Sequence, residues 1–150
     1  MTREQHAALR RRFGFTCAPC GTTEMGVGAP LTVDHFQPTS RGGLDDESNW
    51  VYSCTACNGF KAAFWSVAPD EGLLNPLHDD VSQHLEERNG MLIGITARGE
   101  RHIERLHLNR EQLVAQRQDN AERAHLAERL HVAEAHLQRA LEMRDKADRD

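Results

Sequence analysis

Four cysteines in two CxxC pairs restrict most strongly what this chain can fold into. The pairs are Cys17-Ala-Pro-Cys20 and Cys54-Thr-Ala-Cys57, with 33 residues between them. Two pairs at such a spacing are typical of a tetrahedral four-thiolate site for structural Zn²⁺. Thioredoxin-like chemistry needs only one pair on a βαβ unit, and disulfides are disfavoured without an export signal. We therefore expect Zn²⁺ at Cys17, Cys20, Cys54 and Cys57, where it holds the fold and does no chemistry itself.

Length and charge limit the class of protein further. The 150 residues suffice for one domain and an appendage. There is no apolar run long enough to span a membrane and no secretion signal, so we expect a soluble, cytoplasmic protein. Eighteen basic against 23 acidic residues give a net charge of −5. Binding to nucleic acid would then need a local basic patch or a metal, because bulk electrostatic attraction is a property of basic proteins.

The first half of the chain predicts a small α+β unit built around the cysteines. A short helix is expected within residues 1–16, ending before Gly14. Two β-rich runs follow, one ending at a Pro and Gly-Gly loop and the other leading into the second cysteine pair. A helix with an aromatic face is expected after that pair. The two runs are Leu31–Phe36 and Asn49–Ser53, and the helix is Asn58–Trp65.

The second half predicts a loop-rich section and then a long helix. We expect a hairpin around residues 91–96, turned by Gly99. Residues 100–150 contain no Gly or Pro, which favours helix with a break between Gln116 and Glu122. A narrow apolar stripe there suits a short coiled coil, or a helix that packs back on its own domain or frays. The stripe comprises Leu106, Leu113, Leu126, Leu130, Ala133, Leu137 and Leu141.

Three polar residues between and directly after the cysteine pairs predict a reactive site. Asp34 and His35 are adjacent at a strand end, and Asn58 directly follows the second cysteine pair. Carboxylate and amide oxygens suit a hard cation such as Mg²⁺ or Mn²⁺. A neutral His35 can take a proton from water, while the cation stabilises charge on a phosphate. These are the parts of a phosphodiesterase.

The run from Cys17 to Lys61 resembles the HNH endonuclease family, which has a ββα-metal fold and often a four-cysteine zinc site. The matching residues, in order and register, are Cys17, Cys20, Asp34, His35, Pro38, Ser40, Gly42, Gly43, Asn49, Cys54, Cys57, Asn58 and Lys61. The section that follows also resembles the downstream section of bacterial members, so the whole resemblance covers roughly residues 15–117. The fold class expected is therefore a zinc-stabilised ββα-metal domain, with a downstream β-hairpin and a long C-terminal α-helix.

The resemblance implies a role for each residue of the site. His35 is the general base, and Asp34 and Asn58 bind the catalytic metal. Asn49 hydrogen-bonds the loop backbone and holds His35 in place, and Lys61 lies near the phosphate. Many members of the family carry His at the position of Asn58, so this sequence has the HNN variant of the motif. Because an amide oxygen is a harder and weaker ligand than imidazole, we expect activity with Mg²⁺ or Mn²⁺ and little activity with Zn²⁺ or Ni²⁺.

We accordingly expect a metal-dependent DNA endonuclease of bacterial or phage origin that nicks as a monomer. The alternative is a non-catalytic zinc module that binds nucleic acid or docks a partner in a restriction, defence or phage system. Expected units are a nuclease core (1–68), its extension (69–117) and a helical tail (118–150) through which a second copy or a partner protein binds. Expected phosphate contacts are Lys61, Arg41, Arg10, Arg11 and Arg12, with Arg98 and Arg101 as further candidates.

Several other residues are expected to be structural. Trp50 and Trp65 are predicted to pack in the core or against the zinc site. His78, His84, Asp79 and Asp80 are predicted to be surface or hydrogen-bonded groups, not a second metal site. The five downstream histidines are predicted to lie on solvated helix faces; they are His102, His107, His125, His131 and His136.

Overall fold

The computed structural model of the chain describes residues 1–147. It shows a small α+β unit with two separate antiparallel hairpins and a long C-terminal helix, so the expected fold class is confirmed. The helices are α1 (Arg3–Arg12), α2 (Glu24–Val27), α3 (Thr55–Lys61), α4 (Ala97–Arg105) and α5 (Glu111–Ala147). The strands are β1 (Thr32–His35), β2 (Trp50–Ser53), β3 (Leu85–Arg88) and β4 (Met91–Gly94). In the described part of the chain, no helix is long and apolar enough to cross a bilayer.

The first hairpin and α3 form the ββα unit. β1 pairs with β2 so that Asp34 lies opposite Val51 and His35 opposite Trp50. β2 is buried throughout, because the four cysteines, α1 and the apolar core surround it. A single apolar core joins the four cysteines to side chains from both halves of the chain; its other buried members are Leu9, Leu31, Trp50, Tyr52, Leu73, Ile103, Leu106, Leu108 and Leu113.

The helix after the second cysteine pair begins earlier than expected. α3 starts at Thr55, with Cys54 as its N-cap, and it ends at Lys61. Asn58 therefore lies inside the helix, not at its start. Phe64 and Trp65 lie beyond its end, because Ala62 takes a φ of 49° that stops the helix. The expected Asn58–Trp65 boundaries and aromatic helix face were wrong.

The second hairpin is present, but it turns at Asn89-Gly90 and not at Gly99. Asn89 and Gly90 have φ values of 50° and 80°, the two positive values of a type I′ turn. Gly99 instead lies in the first turn of α4, where a Cβ would come within 2.1 Å of the His84 carbonyl oxygen. Its role is close packing of α4 on the hairpin.

The helical break is also displaced from its expected position. α4 ends at Arg105 and α5 begins at Glu111, and no break occurs between Gln116 and Glu122. His107 takes a φ of 49°, and the Asn109 side chain binds both the N–H and the carbonyl of Leu92. These contacts turn the chain toward the second hairpin, so the break follows tertiary contacts and not composition.

The start of α5 is anchored to the domain and the rest is exposed. Leu113 is buried, and Arg117 donates to the carbonyl oxygens of Gly90 and Leu108. From Asp119 to Ala147 the side chains are exposed, except for the half-buried Ala135. Of the alternatives for this segment, packing back on its own domain is therefore contradicted. Residues 148–150 of the expected tail lie outside the described residues.

Candidate metal-dependent nuclease site

The four cysteines converge into one buried cluster. One ligand atom from each lies within 4.8 Å of the others, and all four residues are buried. The Cys20 and Cys54 sulfurs are 3.8 Å apart, which matches the edge of a tetrahedron with Zn–S bonds of about 2.3 Å. This separation is far beyond a disulfide bond of about 2.05 Å. The cluster fits structural zinc.

Backbone amides orient the sulfurs. The Cys54 N–H donates to the Cys17 sulfur at 3.2 Å, and the Cys57 N–H donates to the Cys54 sulfur at 3.4 Å. Because Cys54 is also the N-cap of α3, the position of that helix depends on the cluster. The metal site thus places Asn58 and Lys61, which lie one and two turns further along.

The expected reactive residues line one cleft of about 190 Å³. Asp34 and His35 reach it from the end of β1, and Asn58 and Lys61 reach it from α3. The cleft residues are Val33, Asp34, His35, Pro38, Thr39, Asn58, Lys61 and Ala62. The sequence-based grouping of Asp34, His35 and Asn58 therefore corresponds to one place in the structure.

Asp34 is buried and paired with Lys61. The Lys61 ammonium donates to Asp34 Oδ1 at 2.9 Å and to the His35 carbonyl oxygen at 2.7 Å. Burial raises the pKa of Asp34, while the neighbouring ammonium opposes that shift. Lys61 is only 5% exposed. Lys61 therefore links α3 to the end of β1 through these two hydrogen bonds. The resemblance implied a different role for Lys61, close to the phosphate.

The donor set of the cleft fits a hard divalent cation. Asp34 presents a carboxylate, and Asn58 presents an amide whose nitrogen donates to Thr32 Oγ1 at 3.4 Å. With the nitrogen bonded in this way, the amide oxygen is available as a metal ligand. Oxygen ligands with water completing the shell are what Mg²⁺ and Mn²⁺ prefer. Asp34 and Asn58 are the residues that would hold such an ion.

His35 has a partner that the sequence did not reveal. Its Nε2 lies 2.8 Å from Asp45 Oδ1, and the same oxygen accepts a hydrogen bond from the Trp50 indole at 2.8 Å. These two hydrogen bonds lower the pKa of Asp45, so the carboxylate stays ionised and accepts. His35 Nε2 must then carry the proton, which leaves a lone pair on Nδ1.

Asn49 holds the loop between β1 and β2. Its side-chain oxygen accepts from the Gln37 N–H at 2.8 Å, and its amide group donates to the carbonyl oxygens of Gln37 and Leu44 at 2.9 and 2.8 Å. Gly43 lies against these groups, since a Cβ there would approach the Gln37 oxygen to 1.9 Å. Gly43 is therefore required by the closed loop that follows His35.

The basic residues are divided between internal pairs and the surface. Arg10 makes two hydrogen bonds with Glu24, at 2.7 and 2.6 Å, and Tyr52 donates to the same carboxylate. Arg12 reaches the Glu47 carbonyl oxygen at 3.0 Å but is exposed, as are Arg11 and Arg41. The placement of Arg10 argues against a phosphate contact by that residue.

The downstream arginines are likewise engaged inside the molecule. Arg98 pairs with Asp79 at 2.6 Å and binds the Leu73 carbonyl oxygen. Arg101 donates to the Asp70 carbonyl oxygen at 2.6 Å. Both arginines thus stabilise the loop-rich segment of residues 70–79, which precedes the second hairpin.

Among the described residues, the four cysteines are the only group of three or more His, Cys, Asp or Glu placed to hold a metal. His84 binds Thr96 and Asp79 binds Arg98, in agreement with structural roles.

His107, His125, His131 and His136 are exposed as expected. His102 is not: it is buried, and its Nδ1 accepts the Leu74 N–H at 3.1 Å. Trp50 is buried as expected, and Trp65 packs edge-on against Phe36.

Comparison with known proteins agrees with this geometry. Residues 17–63 match the family described as HNH endonuclease. This stretch contains the ββα unit and the cysteine cluster, so the predicted resemblance is confirmed over these residues. No curated protein and no solved structure matches the chain. The family match supports a function of the nuclease or nucleic-acid-binding class.

Proposed function

We propose that the chain is a metal-dependent endonuclease that hydrolyses DNA phosphodiester bonds. The observation that carries the proposal is the convergence of Asp34, His35 and Asn58 on one cleft, beside a loop that Asn49 closes. A module that only binds nucleic acid does not need a histidine held in one tautomer beside oxygen ligands for a cation, as His35 is beside Asp34 and Asn58.

In the proposed reaction His35 Nδ1 accepts a proton from a water molecule in the cleft. The water oxygen attacks phosphorus, the bond from phosphorus to the leaving oxygen breaks, and that oxygen takes up a proton from solvent. Asp45 accepts a hydrogen bond from the Nε2–H of His35 throughout, which favours the imidazolium that forms. Asp34 and Asn58 would hold a divalent cation, which would stabilise negative charge on the phosphate oxygens when bound.

Lys61 has a different role in this proposal from the one implied by resemblance. Its ammonium already satisfies Asp34 Oδ1 and the His35 carbonyl oxygen in a buried position. We propose that it sets the orientation of Asp34. Exposed Arg41, Arg11 and Arg12 remain the candidates for phosphate contact; Arg41 follows Thr39, which lines the cleft, by two residues.

Other expectations remain proposals of the same kind. They are the division into residues 1–68, 69–117 and 118–150, the nicking of one strand by a monomer, a cytoplasmic location, and an origin in a bacterium or phage. Zn²⁺ at the cysteines and Mg²⁺ or Mn²⁺ at the cleft are the proposed cofactors.

A supercoiled-plasmid assay tests the proposed function. Wild type and His35→Ala, both loaded with zinc, are incubated with Mg²⁺, Mn²⁺, Zn²⁺, Ni²⁺ or a chelator. We expect nicking by the wild type in Mg²⁺ or Mn²⁺, little in Zn²⁺ or Ni²⁺, and a loss of at least about 100-fold in His35→Ala. His131→Ala, which alters an exposed histidine of α5, is the matched control and should nick like the wild type.

Two results would contradict the proposal. Equal nicking by wild type and His35→Ala would show that the activity belongs to a contaminant. Binding of duplex DNA without cleavage in any metal, by a zinc-loaded and folded wild type, would favour the non-catalytic module.

A further inference from the structure

The exposed part of α5 carries an apolar stripe that the domain does not cover. Leu130 and Leu137 are 65% and 62% exposed, and Leu126 and Leu141 belong to the same stripe. Leu126 and Leu137 are eleven residues apart, as are Leu130 and Leu141. An eleven-residue spacing corresponds to about 3.67 residues per turn, so the stripe stays on one face of a nearly straight helix.

We infer that this stripe binds a second copy of the same chain, with the two α5 helices antiparallel. The charges at the two ends of the stripe carry the inference. Asp119 lies on the stripe before its first leucine, and Arg144 lies on it after the last one. Both are exposed; Arg144 has one long contact, 3.4 Å to Asp145.

One antiparallel register pairs the central apolar positions of the stripe with each other and its two charged positions with opposite charges. With the centre of the pair between Leu130 and Ala133, these two residues face each other across the helices. Leu126 then faces Leu137 of the second copy, and Asp119 faces Arg144 of the second copy. The same contacts occur twice because the pair is symmetric.

Other arrangements bring like charges together. In a parallel pair, Asp119 would face Asp119 and Arg144 would face Arg144, although Arg129 would approach Glu134 of the second copy. An antiparallel pair shifted so that Leu130 faces Leu137 would bring Arg123 against Arg144. The charges therefore select both the orientation and the register.

The inferred dimer goes beyond the proposed function and does not depend on it. Residue 114 of each copy lies near the anchored start of α5, so the two domains would be about 50 Å apart along the helix axis at 1.5 Å per residue. If the domain is a nuclease, two such clefts cannot meet at one point of a duplex. The dimer would hold two independent nicking sites.

Sedimentation equilibrium over a range of concentrations tests the inference, because it measures mass independently of the shape of a long helix. We expect the wild type to dimerise at micromolar concentrations. Leu130→Asp should leave a monomer with normal zinc content. Asp119→Arg should weaken the dimer by at least about tenfold, since two attractive contacts become repulsive.

Charge exchange distinguishes the antiparallel pair from the alternatives. Asp119→Arg combined with Arg144→Asp should restore the affinity to within about threefold of wild type. Glu128→Arg and Arg139→Asp, on the opposite face of α5, are matched controls and should dimerise normally.

Three outcomes would overturn the inference. One is a wild type that stays monomeric at all concentrations. Another is Asp119→Arg with unchanged affinity, as a parallel pair predicts. The last is a double variant no better than Asp119→Arg alone. None of these readouts involves DNA cleavage, so failure of the dimer and failure of the nuclease proposal are separable.

Discussion

At the scale of single residues, the reactive histidine depends on a carboxylate that no sequence motif identifies. Asp45 lies ten residues after His35, in the acidic loop before β2, where its neighbours Asp46 and Glu47 are also acidic. Only the fold shows that Asp45, and not its neighbours, accepts hydrogen bonds from both His35 and the indole of buried Trp50. In our proposal Asp45 is a positioning residue for the general base.

The substitution Asp45→Asn tests that role. The amide keeps an oxygen for Trp50 but loses the charge that favours an imidazolium at His35, so we expect nicking to fall about 10- to 100-fold. Zinc content and thermal stability should change little, because Asp45 is exposed. Asp70→Asn, an exposed acidic residue away from the cleft, is the control. Nicking by Asp45→Asn at the wild-type rate would show that His35 needs no such partner.

At the scale of elements, the loop between β1 and β2 is closed around a glycine. An added Cβ at Gly43 would come 1.9 Å from the Gln37 oxygen and 2.8 Å from the Asn49 amide nitrogen. We expect Gly43→Ala to lower the free energy of unfolding by about 1–3 kcal/mol and to reduce nicking, because the loop holding His35 must shift. Urea unfolding and the plasmid assay measure both effects.

Gly59 provides the matched control for that prediction. It lies inside α3, and an added Cβ would meet no atom within 4 Å. Gly59→Ala should therefore be neutral or stabilising by up to about 1 kcal/mol, since alanine favours helix. If Gly43→Ala were as stable and as active as Gly59→Ala, the closed loop would not be needed.

The contact of α4 with the preceding loop predicts a dependence of stability on pH. Burial lowers the pKa of His102 to about 4 from an ordinary value near 6.5, so the folded protein keeps His102 neutral while the unfolded chain binds a proton. The free energy of unfolding should then fall as the pH drops from about 6.5 to about 4, by up to about 3 kcal/mol, and level off below.

His102→Asn tests the pH prediction, because an amide oxygen can accept the Leu74 N–H without titrating. Urea unfolding at several pH values should show that the stability difference between variant and wild type shifts in favour of the variant below pH 6.5. His107→Asn changes an exposed neighbour and should follow the wild type. Parallel curves for wild type and His102→Asn would rule out His102 as the cause.

At this scale the sequence predicted features that depend on neighbouring residues, and it missed features that depend on contacts between residues far apart in the chain. The metal-type cysteine pairs follow from their spacing and the two strands from their β-rich composition. The grouping of Asp34, His35 and Asn58 follows from their chemistry and from the family resemblance. The turn at Asn89-Gly90 was also readable, because Asn-Gly between strand-like runs is a strong hairpin signal. The break after α4 was not, since it depends on Asn109 binding Leu92 across the hairpin.

At the scale of the whole molecule, the four-cysteine cluster is part of the apolar core that joins the two halves of the chain. Its cysteines lie in the same core as residues from α1, β2, α4 and the start of α5. The cluster also fixes α3, and with it Asn58 and Lys61. Because a four-thiolate site does not exist in the unfolded chain, the free energy of zinc binding contributes directly to folding.

Removal of zinc should therefore unfold the domain and abolish nicking together. A zinc-selective chelator is added in the presence of excess Mg²⁺, so that the cleft keeps its cation. We expect the emission of Trp50, which is 2% exposed in the fold, to shift to the red, and nicking to disappear. Added Zn²⁺ should restore both, and Cys57→Ser should resemble the chelated protein. A chelated protein that kept its buried tryptophan and its nicking would show that the cysteines stabilise the fold without metal.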